Sequence, residues 1–307
     1  MTFSINRRMA MVGAAGAAGL MLAPRVTLAE DMMKPALPMA KARGFKLGEM
    51  DVITLLAGST PRENPHGIFG INVSDDVFAE VSARNFIGTD MAQFYFTPTL
   101  VRTGDNIILF DTGLNADGIT AALAQAGHKP EDVTHAVITH MHGDHIGGLM
   151  KDGAPTFSNA AYLTGQVEYD AWSKTDNAGF TKNVKPLAEK MTFLKDGDTV
   201  APGITAMAAF GHTPGHMTFM LDSMDKQLLL MADLANHYVW SLAHPDWEVK
   251  YDMDKAMAAQ TRRKILGMLA ADRIPLIGYH MPFPAAGFVE TKDQGFHFVP
   301  VSYQLMG

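Results

Sequence analysis

The ten residues 139–148, which read Thr-His-Met-His-Gly-Asp-His-Ile-Gly-Gly, constrain this chain more than any other stretch. They place three histidines and one aspartate within six residues, directly after the apolar run 136–138. Each buried imidazole needs partners for both ring nitrogens, and three neighbouring rings would compete for them. A metal satisfies all three rings at once. The stretch therefore predicts half of a two-metal hydrolytic site, with the other half downstream.

Composition limits which metal and which partners are possible. The chain has no cysteine, so any metal must be held by histidine and carboxylate. Such ligands suit zinc, with manganese, iron, cobalt or nickel as alternatives. The formal net charge is −7 and there is no run of basic residues, so no nucleic-acid partner is expected. No segment reaches the roughly 20 apolar residues of a membrane span.

The first 46 residues are predicted to lie outside the main domain. Residues 1–29 place Arg7-Arg8 before the apolar stretch Met9–Leu22 and small residues, which is the layout of an export signal. The arginine pair is similar to a twin-arginine signal, and an ordinary secretory signal is the alternative. A periplasmic or secreted protein is expected. Residues 30–46 are interpreted as a loose N-terminal arm and residues 47–307 as one domain.

The rest of the chain alternates strands with some helices. A buried strand is predicted at 133–138, a loop rich in glycine and proline at 58–70, and one long helix at 252–271. Strands dominate both halves, which suggests two packed sheets with helices outside.

The histidines and carboxylates divide into two predicted sets of ligands. His140 and His142 point the same way on an extended backbone, and His216, at the start of a strand, is placed as their third ligand. Asp144 and His145 follow the turn at Gly143 and are joined by His280 at the second metal, since His280 ends another predicted strand.

Two further residues complete this prediction. Asp233 ends a buried strand and is interpreted as a bridge between the metals, with a helix N-cap as the alternative. His212 precedes a tight turn, so we predict that it hydrogen-bonds the backbone there and supports the site without binding a metal, with a metal ligand as the alternative.

These motifs resemble the metallo-β-lactamase superfamily. The resemblance rests on Thr-His-Met-His-Gly-Asp-His at 139–145, Gly-His-Thr-Pro-Gly-His at 211–216, Asp233 and His280, and it extends over about 52–299. It implies an αββα sandwich, with two mixed sheets, outer helices and the metals at one edge between the sheets. It also implies that Asp111 does not bind a metal itself but orients a ligand histidine. The segments at 94–100 and 159–163 look most like the methyl parathion hydrolase and secreted lactonase group, in which homodimers are common.

The predicted chemistry is hydrolysis. Two divalent ions can share one hydroxide, which attacks a small neutral lactone, aryl ester or organophosphate triester, while Asp144 and Asp233 are placed to move protons. A non-hydrolytic metal-binding or redox protein of the same fold is the alternative. The predicted pocket residues are Phe86, Trp172, Phe180 and Phe193, for each of which core packing is the competing interpretation, and His237, which follows Asp233 closely in sequence.

Overall fold

The computed structural model describes residues 40–305, so the predicted export signal lies outside the described residues. The first half of the described chain contains β1 (Ala42–Leu47), β2 (Met50–Leu55), β3 (Gly58–Glu63), α1 (Asp75–Arg84), β4 (Met91–Phe96), β5 (Thr99–Thr103), β6 (Asn106–Phe110), α2 (Ala116–Gln125), β7 (His135–Ile138), α3 (Gly143–Ile146), β8 (Met150–Lys151), β9 (Ala154–Pro155), β10 (Ala161–Gly165), α4 (Gln166–Trp172), α5 (Ala178–Asn183) and β11 (Met191–Leu194).

The second half contains β12 (Thr199–Ala201), β13 (Ile204–Ala208), β14 (Met217–Ser223), β15 (Lys226–Ala232), α6 (Lys255–Asp272), β16 (Leu276–Gly278), β17 (Ala286–Lys292) and β18 (Gly295–Pro300). Short 3-10 helices lie at Pro65–Gly67, Pro130–Asp132 and Lys185–Lys190, and a π-helix lies at Tyr238–Ala243. Within residues 40–305, no helix has both the length and the hydropathy needed to cross a membrane.

The strands form two mixed seven-stranded sheets. The first sheet has the order β1-β2-β5-β6-β7-β10-β11, and the second has the order β12-β13-β14-β15-β16-β17-β18. Neighbours β6, β7 and β10 are parallel, as are β15 and β16. The two-stranded antiparallel sheet β3-β4 stands apart from both seven-stranded sheets.

The main core lies between the two sheets. Phe110 of β6 meets Phe219 of β14 there, with ring centroids 5.0 Å apart. Alternate residues of the first sheet, such as Leu109, face the other way and pack with Ile119 of α2 in a second core. Because the first sheet is buried on both faces, its strands read as continuous apolar runs rather than as alternation. The predicted αββα sandwich is confirmed.

Two local predictions were wrong. Residues 30–39 of the predicted loose arm lie outside the described residues, but its second part is a strand: Ala42–Leu47 is β1, which pairs with β2 and places Phe45 and Leu47 in the core. The loop predicted at 58–70 begins with β3, which pairs with β4 throughout. The long helix predicted at 252–271 is confirmed as α6, and Asp254 caps its first turn through the N–H of Met257.

Candidate metal centre

Four strand ends meet at one edge of the sandwich. The parallel strands β6 and β7 end just before Asp111 and His140, and the parallel strands β15 and β16 end just before Asp233 and His280. The carboxyl ends of parallel strands lie at the same edge of a sheet, where side chains of the following loops converge. The topology thus brings together residues that are up to 169 positions apart by their numbers in the sequence.

The first cluster consists of His140, His142, His212 and Asp233. Nε2 of His212 lies 3.2 Å from Nε2 of His140 and 3.0 Å from Nδ1 of His142. The same nitrogen lies 3.3 Å from Oδ2 of Asp233. These candidate ligand atoms all lie within 4.8 Å of one another. Three imidazoles and one carboxylate in this arrangement are a donor set suited to a divalent ion such as zinc.

The second cluster consists of Asp144, His145 and His280. Oδ2 of Asp144 lies 3.7 Å from Nε2 of His145 and 3.4 Å from Nε2 of His280. Asp233 reaches this cluster too, with Oδ1 3.3 Å from His145 Nε2 and Oδ2 3.2 Å from His280 Nε2. One carboxylate therefore contacts both clusters.

Two buried atoms support a metal at this place. Nε2 of His145 and Oδ1 of Asp233 lie 3.3 Å apart, yet within residues 40–305 neither atom makes a hydrogen bond of adequate geometry. A buried polar atom without a partner costs roughly 1–3 kcal/mol, and a coordinate bond would remove that cost. The donor set and these two atoms fit a pair of divalent ions.

The electrostatics of the clusters point the same way. Burial alone would raise the pKa of Asp233, but the facing His280 and His145 hold it well below its usual range. Burial lowers the pKa of His145, yet the carboxylates of Asp233, Asp111 and Asp144 outweigh burial and raise it well above the ordinary value. The carboxylates thus demand buried positive charge, which metal ions can supply in place of protons.

The roles predicted for His212 and His216 were wrong and must be exchanged. His216 donates from Nδ1 to the carbonyl of Ala209 at 3.0 Å, and its Nε2 accepts the backbone N–H of Asp233 at 3.1 Å. Both nitrogens are committed, so no lone pair remains for a metal. Burial accordingly lowers the pKa of His216 to about 3. His216 instead fixes the backbone of Asp233, and His212 belongs to the first cluster.

Asp111 holds His145 from behind, as the resemblance implied. Its Oδ2 lies 2.8 Å from Nδ1 of His145, which leaves Nε2 to face the cluster. Its Oδ1 accepts the backbone N–H of Thr139 at 2.9 Å. Asp111 itself has a φ of 62°, a left-handed conformation that aspartate tolerates better than most residues. A histidine ligand is commonly oriented by such a carboxylate.

Asp252 does the same for His212 and was missed at the level of sequence. Its Oδ1 lies 2.8 Å from Nδ1 of His212, and its Oδ2 accepts from the guanidinium of Arg262 at 2.7 Å. Arg262 is buried and also donates to the carbonyls of Leu234 and Pro245, each at 2.8 Å. This chain ties α6 to His212 and to the loop after Asp233.

Glu168 of α4 is a second buried residue that sequence reasoning missed. Its Oε1 accepts the N–H of Met141, which lies between His140 and His142 in the loop after β7, at 2.9 Å. Its Oε2 accepts from the Thr213 hydroxyl and the Gly215 N–H, both at 2.8 Å. Burial raises the pKa of Glu168 against the opposing effect of these donors. Glu168 therefore fastens both histidine-bearing loops to each other.

A cavity of about 330 Å³ opens over the clusters. Its floor contains His142, Asp144, Asp233 and His280, its walls are Phe94, Phe96, Leu114 and Tyr251, and Arg62 and Gly143 complete the lining. The rings of Phe94 and Phe96 pack edge-on against His280, at 5.5 and 5.6 Å. An apolar wall above a charged floor suits a small molecule with one polar reacting group.

None of the five predicted pocket residues lines this cavity. Phe86 is 98% exposed on a turn, and Phe180 is buried in the second core. Phe193 packs against Tyr169, and Trp172 is buried beside His142 with ring centroids 5.8 Å apart.

His237 is also not a pocket residue. Its Nδ1 accepts the backbone N–H groups of Val239 and Trp240, each at 3.1 Å, so it caps the π-helix at Tyr238–Ala243. Its ring stacks on Trp240. The competing interpretation, core packing, therefore holds for Trp172 and Phe180, while Phe193 is half-buried against Tyr169 and Phe86 lies on the surface.

The sequence pattern described as the metallo-beta-lactamase superfamily matches residues 97–278. The chain belongs to this superfamily. The match includes both histidine motifs and Asp233, and it ends two residues before His280.

Several known proteins are similar to this superfamily member. An N-acyl homoserine lactonase of Bacillus cereus is 31% identical over 115 residues, which are 38% of this chain and 43% of the relative. The chain thus spans less than half the length of that curated relative. AidC, a dizinc quorum-quenching lactonase, has a similar structure with a TM-score of 0.78 and 26% identity, over 86% of this chain and 98% of AidC. The hydrolase AbOPH has a TM-score of 0.81 at 22% identity over 87% of this chain and all of its own, which indicates the shared fold.

Proposed function

We propose that this protein is a binuclear metallohydrolase that opens lactones and cleaves related aryl esters. The observation that carries the proposal is the position of Asp233, whose carboxylate contacts both clusters at the floor of an apolar cavity. The first cluster would hold one divalent ion and the second cluster another, with zinc as the first candidate. Two such ions, when bound, supply an electrophilic site for a carbonyl and a nucleophile derived from water at neutral pH.

The residues of the chain divide the remaining work. Phe94 and Phe96 would bind the apolar part of the substrate and keep bulk water from the reacting carbonyl. Asp233 is buried with a pKa well below its usual range because burial is outweighed by His280 and His145, so it stays ionised as a fixed ligand. The side chain of Asp144 is 22% exposed and lines the cavity, so Asp144 is the group placed to accept a proton from the attacking water and pass it to the leaving alkoxide.

The substrate class draws further support from the relatives. The Bacillus cereus relative and AidC are both described as lactonases. The walls contain aromatic and aliphatic side chains, which favours esters with an apolar part. Phosphotriesters are a second substrate class in this proposal, because the same donor set would serve attack at phosphorus.

The proposal is tested with purified, metal-free protein to which two equivalents of zinc or manganese are added. Catalytic efficiency is compared on dihydrocoumarin, a series of N-acyl homoserine lactones, methyl parathion and paraoxon. We expect activity on at least one lactone, two metal ions per chain and no activity without metal. His297→Gln, at an exposed histidine paired with Glu290, is the matched control and should behave as the unaltered protein.

The alternative is a non-hydrolytic metal-binding or redox protein of the same fold. It would be favoured if the protein binds two metal ions and yet hydrolyses none of the lactones, aryl esters or triesters. Asp233→Ala tests the assigned bridge, because it should remove the bridged pair and the activity together. Two ions per chain with surviving activity in that variant would contradict the assigned bridge.

We also propose that the protein acts after export. The proposal rests on the pattern of residues 1–29. Fractionation of cells expressing the whole chain, with sequencing of the amino terminus of the recovered protein, tests it. Recovery of the uncleaved chain in the cytoplasm would contradict it.

A further inference from the structure

Arg62 is the one lysine or arginine among the described residues that line the metal-centre cavity. It lies near the end of β3, opposite Ala92 of β4, while Thr60 lies opposite Phe94 and Gly58 opposite Phe96. Directly opposed residues of an antiparallel pair share one face. Arg62 therefore extends from the same face of the β3-β4 sheet as Phe94 and Phe96, the two phenylalanines that pack on His280.

The guanidinium of Arg62 has no protein partner within the described part of the chain. No hydrogen bond or ion pair joins it to another residue in 40–305, although other exposed arginines are paired, such as Arg263 with Asp246 and Arg84 with Glu80. A guanidinium presents parallel donors that match the two oxygens of a carboxylate. An unpaired guanidinium on the wall of a binding cavity is therefore available to a ligand.

We propose that Arg62 selects substrates whose acyl part ends in a carboxylate. This inference rests on the proposed function, because it concerns the part of the substrate remote from the bond that is hydrolysed. The substrate would be an ester or lactone with three parts: a reacting carbonyl over the clusters, an apolar chain against Phe94 and Phe96, and a carboxylate on Arg62.

The β3-β4 sheet sets the distances between these three parts of the substrate. Gly58 and Arg62 are four residues apart along β3, which corresponds to roughly 13 Å at the rise of an antiparallel strand. Phe96, opposite Gly58, and Phe94, opposite Thr60, both touch His280 of the second cluster, so Arg62 lies two to four residues along β3, or roughly 7–13 Å, from the strand positions that face this cluster. The carboxylate must be separated from the carbonyl by several methylene groups, and very short diacid esters should not reach it.

The experiment compares matched esters on the zinc-loaded protein. The mono-4-nitrophenyl esters of succinic, adipic and suberic acid each carry a terminal carboxylate, and their methyl 4-nitrophenyl diesters are the neutral counterparts. The measured quantity is the ratio of kcat/KM for each acid to that for its diester. Arg62→Gln, Arg62→Lys and Arg62→Glu are compared with Arg273→Gln, at an exposed arginine outside this cavity.

We expect the ratio to be highest for a longer diacid and to fall about tenfold in Arg62→Gln, the scale of one charge-assisted hydrogen bond. Arg62→Lys should keep part of the preference, and Arg62→Glu should invert it. Added salt should lower the ratio in the unaltered protein, because the pair is partly exposed. A ratio that Arg62→Gln and Arg62→Glu leave unchanged would overturn the proposal.

A binding measurement keeps this test independent of turnover. Calorimetry compares 6-phenoxyhexanoate with 6-phenoxyhexan-1-ol, neither of which can be hydrolysed at an ester bond. The acid should bind more tightly than the alcohol, and Arg62→Gln should remove the difference. If no ester is turned over, the proposed function fails, and this measurement still decides the role of Arg62. Acid binding that Arg62→Gln leaves intact would place the carboxylate elsewhere and refute the inference.

Discussion

Asp252→Asn tests whether the support behind His212 controls metal binding. Asp252 accepts from two donors, Nδ1 of His212 at 2.8 Å and the guanidinium of Arg262 at 2.7 Å. Both donor side chains are buried. Asparagine offers one oxygen and one NH₂ group. If the oxygen stays on the guanidinium, the NH₂ group faces Nδ1 of His212 and forces its proton onto Nε2, the atom that faces His140 and Asp233.

The expected size follows from that change of tautomer. A protonated Nε2 cannot bind a metal, and loss of such an outer partner typically weakens metal affinity about 10- to 100-fold. This corresponds to roughly 1.4–2.7 kcal/mol at one of the two sites. In the metal-free protein, the free energy of unfolding should fall by roughly 1.5–3 kcal/mol, because the charge-assisted hydrogen bond between Asp252 and His212 is lost.

The assay is competition for zinc against a chromophoric chelator, followed by urea unfolding of the metal-free protein. Asp246→Asn is the matched control, since it breaks an exposed pair with Arg263 near the same helix and should leave zinc affinity unchanged. If Asp252→Asn binds both zinc equivalents as tightly as the unaltered protein, His212 is not held as a ligand by Asp252. The reasoning about this buried chain would then be wrong.

Three further predictions follow from the structure. His212→Ala should lower zinc content from two ions to one, whereas His216→Ala should retain both ions but weaken folding by roughly 1–3 kcal/mol, since the N–H of Asp233 loses its acceptor; metal analysis and urea unfolding check this, and the opposite pattern would restore His216 as a ligand. Burial holds the pKa of His237 near 3 in the folded protein against 6.5 in the unfolded chain, so the unfolded state gains a proton first and stability is lost as pH falls below 6.5. The loss should be about 1.4 kcal/mol per pH unit relative to His237→Asn, and equal pH slopes in urea unfolding would contradict it. Phe94→Ala should raise KM for an apolar lactone about tenfold, while Phe180→Ala should leave KM alone and lower stability by roughly 3–5 kcal/mol; steady-state kinetics and thermal unfolding separate the two, and a raised KM in Phe180→Ala would return that residue to the pocket.

The stretch at 139–148 could be interpreted from sequence because its chemistry is local. Few environments other than a metal centre accept so many adjacent imidazoles, and the strand before it places the stretch at a sheet edge. Asp233 and His280 could be assigned to the same site, since Asp233 directly follows the buried strand β15 and His280 lies two residues after the buried strand β16. The αββα sandwich followed from the order of the strands and the family motifs.

His212 and His216 show where local reasoning ends. They flank the same turn, four positions apart, and either could face the clusters as far as spacing is concerned. The outcome depends on groups distant in sequence: Asp252 takes Nδ1 of His212, and the N–H of Asp233 takes Nε2 of His216. A hydrogen-bond partner 40 residues away leaves no periodic signal.

The cavity wall was decided in the same way. Trp172 is close to the histidine stretch in sequence, yet it is buried beside His142 in the second core. Phe94 and Phe96 reach the cavity because β4 pairs with β3 in a two-stranded sheet that packs against His280. Arg62 belongs to β3 of that sheet, although the glycine and proline content of this segment predicts a loop.

The sequence by itself thus determined the class of fold, the metal chemistry and most of the donor set, because these depend on residue type, short spacing and the strand that comes before each motif. Only the tertiary structure decided which histidine of residues 211–216 faces the metals, which buried residues hold the ligands and which side chains form the wall. Those choices are made by strand pairing and by hydrogen bonds between distant segments, and each imidazole has only two nitrogens to commit.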